Sequence, residues 1–459
     1  MSASLKPLTA LPLHSLRVLE KPLDWTNLWE SWARNGPAVL LESAGPMGDA
    51  SQWVILAGGA VREALGEKGK CYLLSIDEKR VYEPGFWSLF DEMGKNADSF
   101  KPFPHGLAQS WFGLLSYEFG HRFVVPQTAS VTKTAVPDFY FFKPSRILAF
   151  NRQTKEIYQF GENLVDGDET DGVKPGSFQV GPVEARVSAE QYERNVRKVQ
   201  DYIAAGDIYQ ANLAQSFQAS WKGSAATLYG TLREINPGPF MGLFRGRDFT
   251  VVSSSPERLI TGQGDWLEAR PIAGTRPRGE NELEDLQLKS DLKTNAKEQA
   301  EHLMLVDLAR NDLGRVCEYG TVEVKRYADV ESYARVHHLV STVQGQKKKN
   351  VQVSDVMKSL FPAGTITGCP KIRCMEIIQE LEQQPRGFYT GSMGYVGPGP
   401  FFDFNILIRS FTLWDNGLLD FYAGAGIVAD SDPEREYMET LYKVEALAQA
   451  LGTSLLVKS

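Results

Sequence analysis

The chain has 459 residues, of which 42% are hydrophobic, 11% aromatic and 23% charged, the balance of a well-packed globular protein with room for two or three average domains or one interlocked body. A net charge of −8 offers no broad basic surface to a nucleic-acid backbone, which excludes nucleic acid as an expected partner. No apolar run reaches the length of about eighteen residues that a spanning helix needs, and Met1 to Leu19 lacks the pattern of a signal peptide, so a cytoplasmic protein with no membrane partner is expected. The four cysteines (Cys71, Cys317, Cys369, Cys374) show no CxxC spacing and read as reduced thiols.

Along the first third, Ala38-Val-Leu-Leu41, Trp53-Val-Ile-Leu56, Cys71 to Ile76 and Arg146 to Phe150 are short, apolar and bounded by turn residues, as strands are. From Asp166 to Ser177 apolar residues nearly vanish and Gly, Asp and Pro accumulate. The expected organisation is therefore a sheet-rich N-terminal region over 1–165, a linker or loop over 166–186, and a larger region over 187–455. The larger region opens on Ser188, which begins a capping box with Gln191, followed by Tyr192, Val196, Val199 and Ile203 at helical spacing until Gly206. Next, Tyr209, Ala211 and Leu213 alternate with Gln210, Asn212 and Ala214, so a strand carries a Gln-Asn pair on one face. Further strands are expected at Phe249–Ser253 and Phe404–Phe411, and helices near Asn295–Ala309, Pro370–Leu381 and Pro433–Leu451. Strands and helices do not alternate regularly, which favours an α+β architecture of largely antiparallel sheets flanked by helices.

Two of these helices each present carboxylates one turn apart. Glu298 and Glu301 share a face, and Glu436, Glu439 and Lys443 form a stripe on the helix that Asp432-Pro433 starts. Either pair alone is ordinary on a solvated helix; brought together, the four repel unless a hard divalent cation such as Mg²⁺ neutralises them. Arg409 interrupts the apolar run Ile406 to Phe411, and a guanidinium there needs an anion, either a carboxylate ligand or a structural ion-pair partner. Ala423-Gly-Ala-Gly426 follows a strand and offers backbone N–H groups at small residues, and Gly364 to Pro370 leads into a helix N-terminus. His337 and His338 project to opposite strand faces, so they do not form a metal pair, though one can act as a general acid.

Five ordered segments, Pro271-Ile-Ala-Gly-Thr-Arg-Pro-Arg-Gly279, Glu298 to Asp312, Phe361-Pro-Ala-Gly-Thr-Ile-Thr-Gly-Cys-Pro-Lys371, Arg386-Gly-Phe-Tyr-Thr-Gly-Ser-Met-Gly-Tyr395, and Ala423 to Asp430 with Glu436-Tyr-Met-Glu439, together resemble the chorismate-utilising enzymes over nearly the whole chain. That family includes anthranilate synthase component I, aminodeoxychorismate synthase component I, isochorismate synthase and salicylate synthase. The resemblance implies an α/β sandwich of antiparallel sheets, with a chorismate-binding catalytic region at 187–455 and a Mg²⁺-dependent site. Glu301 and Glu439 match direct Mg²⁺ ligands, and Glu298 and Glu436 their supporting partners. Arg409, Tyr389 and Lys443 match positions that hold the chorismate carboxylates, with backbone contacts from Gly424 and Gly426. His338 matches a histidine that assists departure of the C4 hydroxyl, and Thr275 and Thr365 match substrate-facing threonines.

Members that use water resemble one another in a Lys base where this chain has Gln210, and a neutral amide does not deprotonate water, which implies amination with ammonia. Gln210 to Gln215 and Thr390-Gly-Ser-Met-Gly394 look more like aminodeoxychorismate synthase, of para-aminobenzoate and folate biosynthesis. Ala273 stands where many of those enzymes carry a nucleophilic Lys, so either ammonia reacts without a covalent step or the product is anthranilate. Leu40-Leu-Glu42-Ser43 and Asn236-Pro-Gly-Pro239-Phe240-Met241 resemble the tryptophan pocket of anthranilate synthases. Cys369 replaces a usual Ala and has no functional account. The chain holds no Gly-x-Cys-x-Gly glutaminase motif, so a separate glutamine amidotransferase subunit is the expected source of ammonia.

Overall fold

The computed structural model describes residues 12–18, 23–44, 52–75, 78–95, 103–126, 136–161, 176–333, 335–399 and 401–456. The low-complexity stretch beginning at Asp166 lies outside them as far as residue 175. Every strand pairing among the described residues is antiparallel. Two long strands, Trp53–Glu67 and Phe139–Asn151, pair along most of their lengths and are shared by two sheets. In one direction the order runs from Trp53–Glu67 through Ala38–Glu42, Phe240–Arg245, Phe249–Ser255, Ser410–Trp414 and Leu418–Ile427 to Gln210–Gly223. In the other it runs from Phe139–Asn151 through Trp111–Leu115, Ser392–Gly397, Phe401–Asn405, Arg258–Gln263 and Trp266–Arg270 to Val336–Gln346, which also pairs with Ile272–Pro277 and Glu323–Ser332.

Strand alternation then decides where each side chain is buried. Tyr140 and Phe142 point between the sheets, where they join Phe112, Phe244 and Tyr395, while Phe139 and Phe141 point outward under helices that carry Phe86, Phe119 and Met357. The other outer face, with Leu40, Phe217 and Phe421, is covered by helices contributing Trp32, Tyr229 and Val444. The result is helix, sheet, sheet, helix, the expected α+β sandwich. No described helix is long and apolar enough to cross a membrane.

The helix Ala189–Ala204 starts where expected, with Ser188 accepting from the Gln191 N–H at 3.2 Å. The reciprocal half of the box is absent: the Gln191 amide donates instead to Asn195 at 2.8 Å. The expected continuous strand Phe404–Phe411 is a correction. Pairing stops at Asn405 and resumes at Ser410, and Arg409 between them adopts φ 53°. The run reads as one strand because Ile406 and Leu407 are buried; its backbone instead bends, with Ile406 N–H donating to the Glu257 carbonyl and Leu407 N–H to that of Gly391.

Candidate active site

The candidate site residues lie on the last strands of one sheet, on Ile272–Pro277 and Val336–Gln346 of the other, and on two helices, one packed on each set of strands. In the register of Gln210–Gly223 against Leu418–Ile427, Asn212 lies opposite Gly426 and Ala214 opposite Gly424. A Cβ on Gly424 would stand 2.5 Å from Asn212 Oδ1, and one on Gly426 would stand 2.4 Å from Gln210 Nε2. The two glycines therefore leave the room into which both amides fold. Gln210 Oε1 and Asn212 Oδ1 are buried and lack hydrogen-bond partners among the described residues. The Tyr389 ring stacks on Tyr422 at 5.2 Å between centroids, and its hydroxyl lies 3.0 Å from where a Cβ on Gly424 would stand. Behind it lies Arg386, fully buried, which donates to Glu382 and to the carbonyls of Ile366 and Asn212 at 2.9 and 2.7 Å.

The helix Ala296–Val316 starts on Asn295, whose side chain accepts from the N–H groups of Lys297 and Glu298. The helix Pro433–Ala450 starts on Asp432 with Pro433 in its first turn. Each of the four glutamates has a neighbour that offsets its charge. Glu298 pairs with Arg276 at 2.8 Å, Glu301 with Lys297 at 3.8 Å and Glu439 with Lys443 at 2.6 Å, while Glu436 accepts from the Ser431 hydroxyl at 2.7 Å. Lys443 also donates to the Gly424 carbonyl at 3.0 Å, tying the helix to the glycine strand. Burial pushes the Glu301 carboxyl above the usual range; Lys297 opposes the shift, and Glu298, Glu439 and Glu436 reinforce it. Glu436 is raised too, by burial and by Glu439, against the Ser431 hydrogen bond. Carboxylates on two helices thus feel one another across the cleft, a donor set suited to a hard cation. As they stand, no three acidic, imidazole or thiol groups among the described residues converge closely enough to chelate one.

Facing the cleft from the second sheet, His338 Nδ1 lies 3.0 Å from Thr275 Oγ1, and its Nε2 is buried without a partner among the described residues. Burial and then the field of Arg409 bring its pKa down to about 3, so the imidazole is neutral and suited to hydrogen bonding rather than to acting as an imidazolium acid. His337 points the other way, to Asp285 at 2.9 Å, as alternation requires. Ala273 lies opposite Leu339 and presents only a methyl. Arg409 is partly buried and closes no ion pair among the described residues; Glu257 is the acid whose field it feels. A guanidinium drawn partly out of water without a counter-ion is suited to an anionic ligand.

Glu257 has no counterpart in the sequence analysis. It is 5% exposed, and burial raises its pKa to about 7, against the lowering influence of the Thr365 hydroxyl, the Ile272 N–H and Arg409. A carboxyl that titrates near neutrality, beside an anion-seeking arginine and a threonine the sequence had singled out, is suited to carry a proton. No local pattern around Ser255-Pro256-Glu257-Arg258 marks it, because its meaning comes from Thr365 and Arg409, distant in the chain. Contacts link these residues in three groups: Gln210 with Gly426, and Tyr389 and Lys443 with Gly424; Glu439 with Lys443, and Glu298 with Arg276 beside Thr275 and His338; and Thr365 with Glu257, whose field reaches Arg409.

Glu42, Ser43, Pro239, Phe240 and Met241 lie elsewhere. All five line a separate cavity of about 600 Å³, with Arg258, Arg270 and Asn405. Two of their polar groups are already engaged there: Glu42 holds Arg233 at 2.5 Å and the Tyr229 hydroxyl at 3.1 Å, and the Ser43 hydroxyl donates to the Pro239 carbonyl.

The sequence profile of the chorismate binding enzymes matches residues 49–449. This chain belongs to the chorismate-binding enzymes. Among members of that family, it is 38% identical over 362 residues to aminodeoxychorismate synthase component 1 of Bacillus subtilis (strain 168), covering 74% of this chain and 77% of that protein. It is 39% identical over 373 residues to anthranilate synthase component 1 of the same organism, covering 74% and 72%. The crystal structure of anthranilate synthase component I from Streptococcus pneumoniae TIGR4 superposes with a TM-score of 0.74 at 28% identity, over 87% of this chain and 93% of that one. The two named activities are matched equally well, so membership makes the protein a chorismate-utilising enzyme and leaves the product to the chemistry of the cleft.

Proposed function

We propose that this chorismate-binding enzyme aminates chorismate with ammonia to give 4-amino-4-deoxychorismate, the precursor of para-aminobenzoate and folate. The observation that carries amination is Gln210, a neutral amide buried over Gly426 where a water-activating base would be required for hydration. Arg409 and Lys443 offer the cations that two substrate carboxylates need, and the Tyr389 hydroxyl stands beside the glycine strand. Glu301 and Glu439, supported by Glu298 and Glu436, would hold Mg²⁺, which when bound supplies positive charge for the ring carboxylate. Glu257 holds the proton: the nitrogen forms the new C–N bond, the C4–O bond breaks, and the oxygen leaves as water with that proton. The proton shed by the new ammonium restores the Glu257 carboxyl. Thr275 fixes the neutral His338 so that its second ring nitrogen faces the cleft.

Ammonia would come from a glutamine amidotransferase subunit in the cytoplasm. Three of the four cysteines are buried, and all are free thiols. Burial raises the Cys369 thiol, so no nucleophile for glutamine hydrolysis stands out among them. A second reading, anthranilate as product, is favoured by Ala273 and by the cavity beside Ser43 and Met241. One assay separates the two. With chorismate, Mg²⁺ and ammonium, the proposal predicts a product that an aminodeoxychorismate lyase converts to para-aminobenzoate; blue-fluorescent anthranilate instead would overturn it. With the amidotransferase added, glutamine should replace ammonium, and failure to do so would overturn the partner assignment.

A further inference from the structure

The Gln-Asn pair leaves one residue without a role, for only Gln210 entered the argument for amination. Asn212 occupies the same strand face two positions on, and the room above Gly424 exists to admit its amide. Its backbone is held from both sides, the N–H donating to the Thr367 carbonyl at 2.9 Å and the carbonyl accepting from buried Arg386 at 2.7 Å. Arg386 is fixed in turn by Glu382, which also accepts from the Ala214 N–H at 2.8 Å. A side chain so firmly placed, whose buried oxygen ends on nothing, forgoes a hydrogen bond in the free protein, and such groups call for a donor. The same is true of Gln210 Oε1.

We propose that Asn212 and Gln210 together form the seat of the nitrogen nucleophile, two amide oxygens that accept two N–H bonds of ammonia. This rests on reading the cleft as an amination site. Ammonia has three N–H donors and one lone pair. Two acceptors on one face hold two of those hydrogens and turn the lone pair away from the strand, toward the cleft that Arg409 and Tyr389 border. Both oxygens are neutral, so they select for a molecule rich in donors without drawing in a metal cation. Chorismate offers these positions a single donor, the C4 hydroxyl that departs, while its carboxylates are acceptors that Arg409 and Lys443 would match.

The test is steady-state kinetics with chorismate and ammonium chloride. Asn212→Leu keeps the branched outline and removes the acceptor, and the KM for ammonium should rise about tenfold while the KM for chorismate stays within about twofold. Asn212→Asp keeps an acceptor at the same place and should hold the ammonium KM near the wild-type value. An unchanged ammonium KM in the leucine variant, or a rise in the chorismate KM alone, would overturn the inference. Thermal melting verifies the fold, and Asn212→Ala, which only deletes atoms, replaces the leucine variant if that one does not melt cooperatively. Anthranilate as the wild-type product would sink the product assignment and leave this inference standing, whereas isochorismate would sink both.

Discussion

Replacing Glu257 by Gln should make the protein more stable and nearly inactive. In the unfolded chain this carboxyl ionises around pH 4.5, but in the folded protein it stays protonated until pH about 7, because burial disfavours the charged form more than Arg409 and Thr365 favour it. The sign follows from where the proton is held. Folding stability is complete below the unfolded pKa and is lost as pH rises through the folded one, since the unfolded chain has by then released a proton that the native site retains. A displacement from 4.5 to about 7 corresponds to about 3 kcal/mol when fully developed. Glutamine, neutral throughout, escapes that loss. Urea unfolding followed by intrinsic fluorescence should therefore show the stability difference, variant minus wild type, widening in favour of the variant by ~2–3 kcal/mol between pH 5 and pH 8. Turnover should fall by roughly 10²–10⁴, the contribution usual for a positioned general acid. In the wild type, rate per free ammonia should decline above pH about 7. A stability difference that does not change with pH would refute the buried-proton argument, and retained turnover would refute the catalytic one.

Glu439→Gln should abolish Mg²⁺-dependent turnover while leaving the melting temperature near wild type, because the side chain is half exposed; activity that survives and still responds to Mg²⁺ would remove Glu439 from the metal set. Arg386→Met strands Glu382 in the interior and should cost about 3–5 kcal/mol in urea unfolding; a loss below about 1 kcal/mol would mean the network is dispensable. Two glycine substitutions should part company. Gly426→Ala meets the movable end of Gln210 at 2.4 Å and should fold normally with impaired amination, whereas Gly394→Ala meets the Asp403 carbonyl at 2.0 Å and should fail to accumulate as soluble protein.

What was legible in the chain was mostly what is local. Ser188, Asp432 and Pro433 mark helix starts because a cap acts within one turn, and the Gln210–Asn212 alternation correctly put two amides on one face. The pairing of that face with Gly424 and Gly426 is visible only in the register of strands some two hundred residues apart. Arg409 was found by its charge in an apolar run, yet its strand was misjudged, since buried bends and buried strands share a composition. Glu257 was missed because nothing in its neighbours distinguishes it; burial holds its proton to near neutrality, against the opposing influence of Thr365 and Arg409. Resemblance supplied the family motifs, and geometry supplied the reason for two of their glycines.

The shared strands have a consequence for how the chain comes to life. Ala38–Glu42 is flanked by Trp53–Glu67 and by Phe240–Arg245, and Trp111–Leu115 reaches its second neighbour only at Ser392–Gly397. A ribosome delivers these segments far apart in time, so the early strands emerge with apolar edges open and no partner yet made. The N-terminal third cannot mature ahead of the rest, and closure of this edge awaits roughly the last seventh of translation. Synthesis halted before Ser392 should therefore leave a chaperone-dependent, aggregation-prone nascent chain rather than a folded fragment.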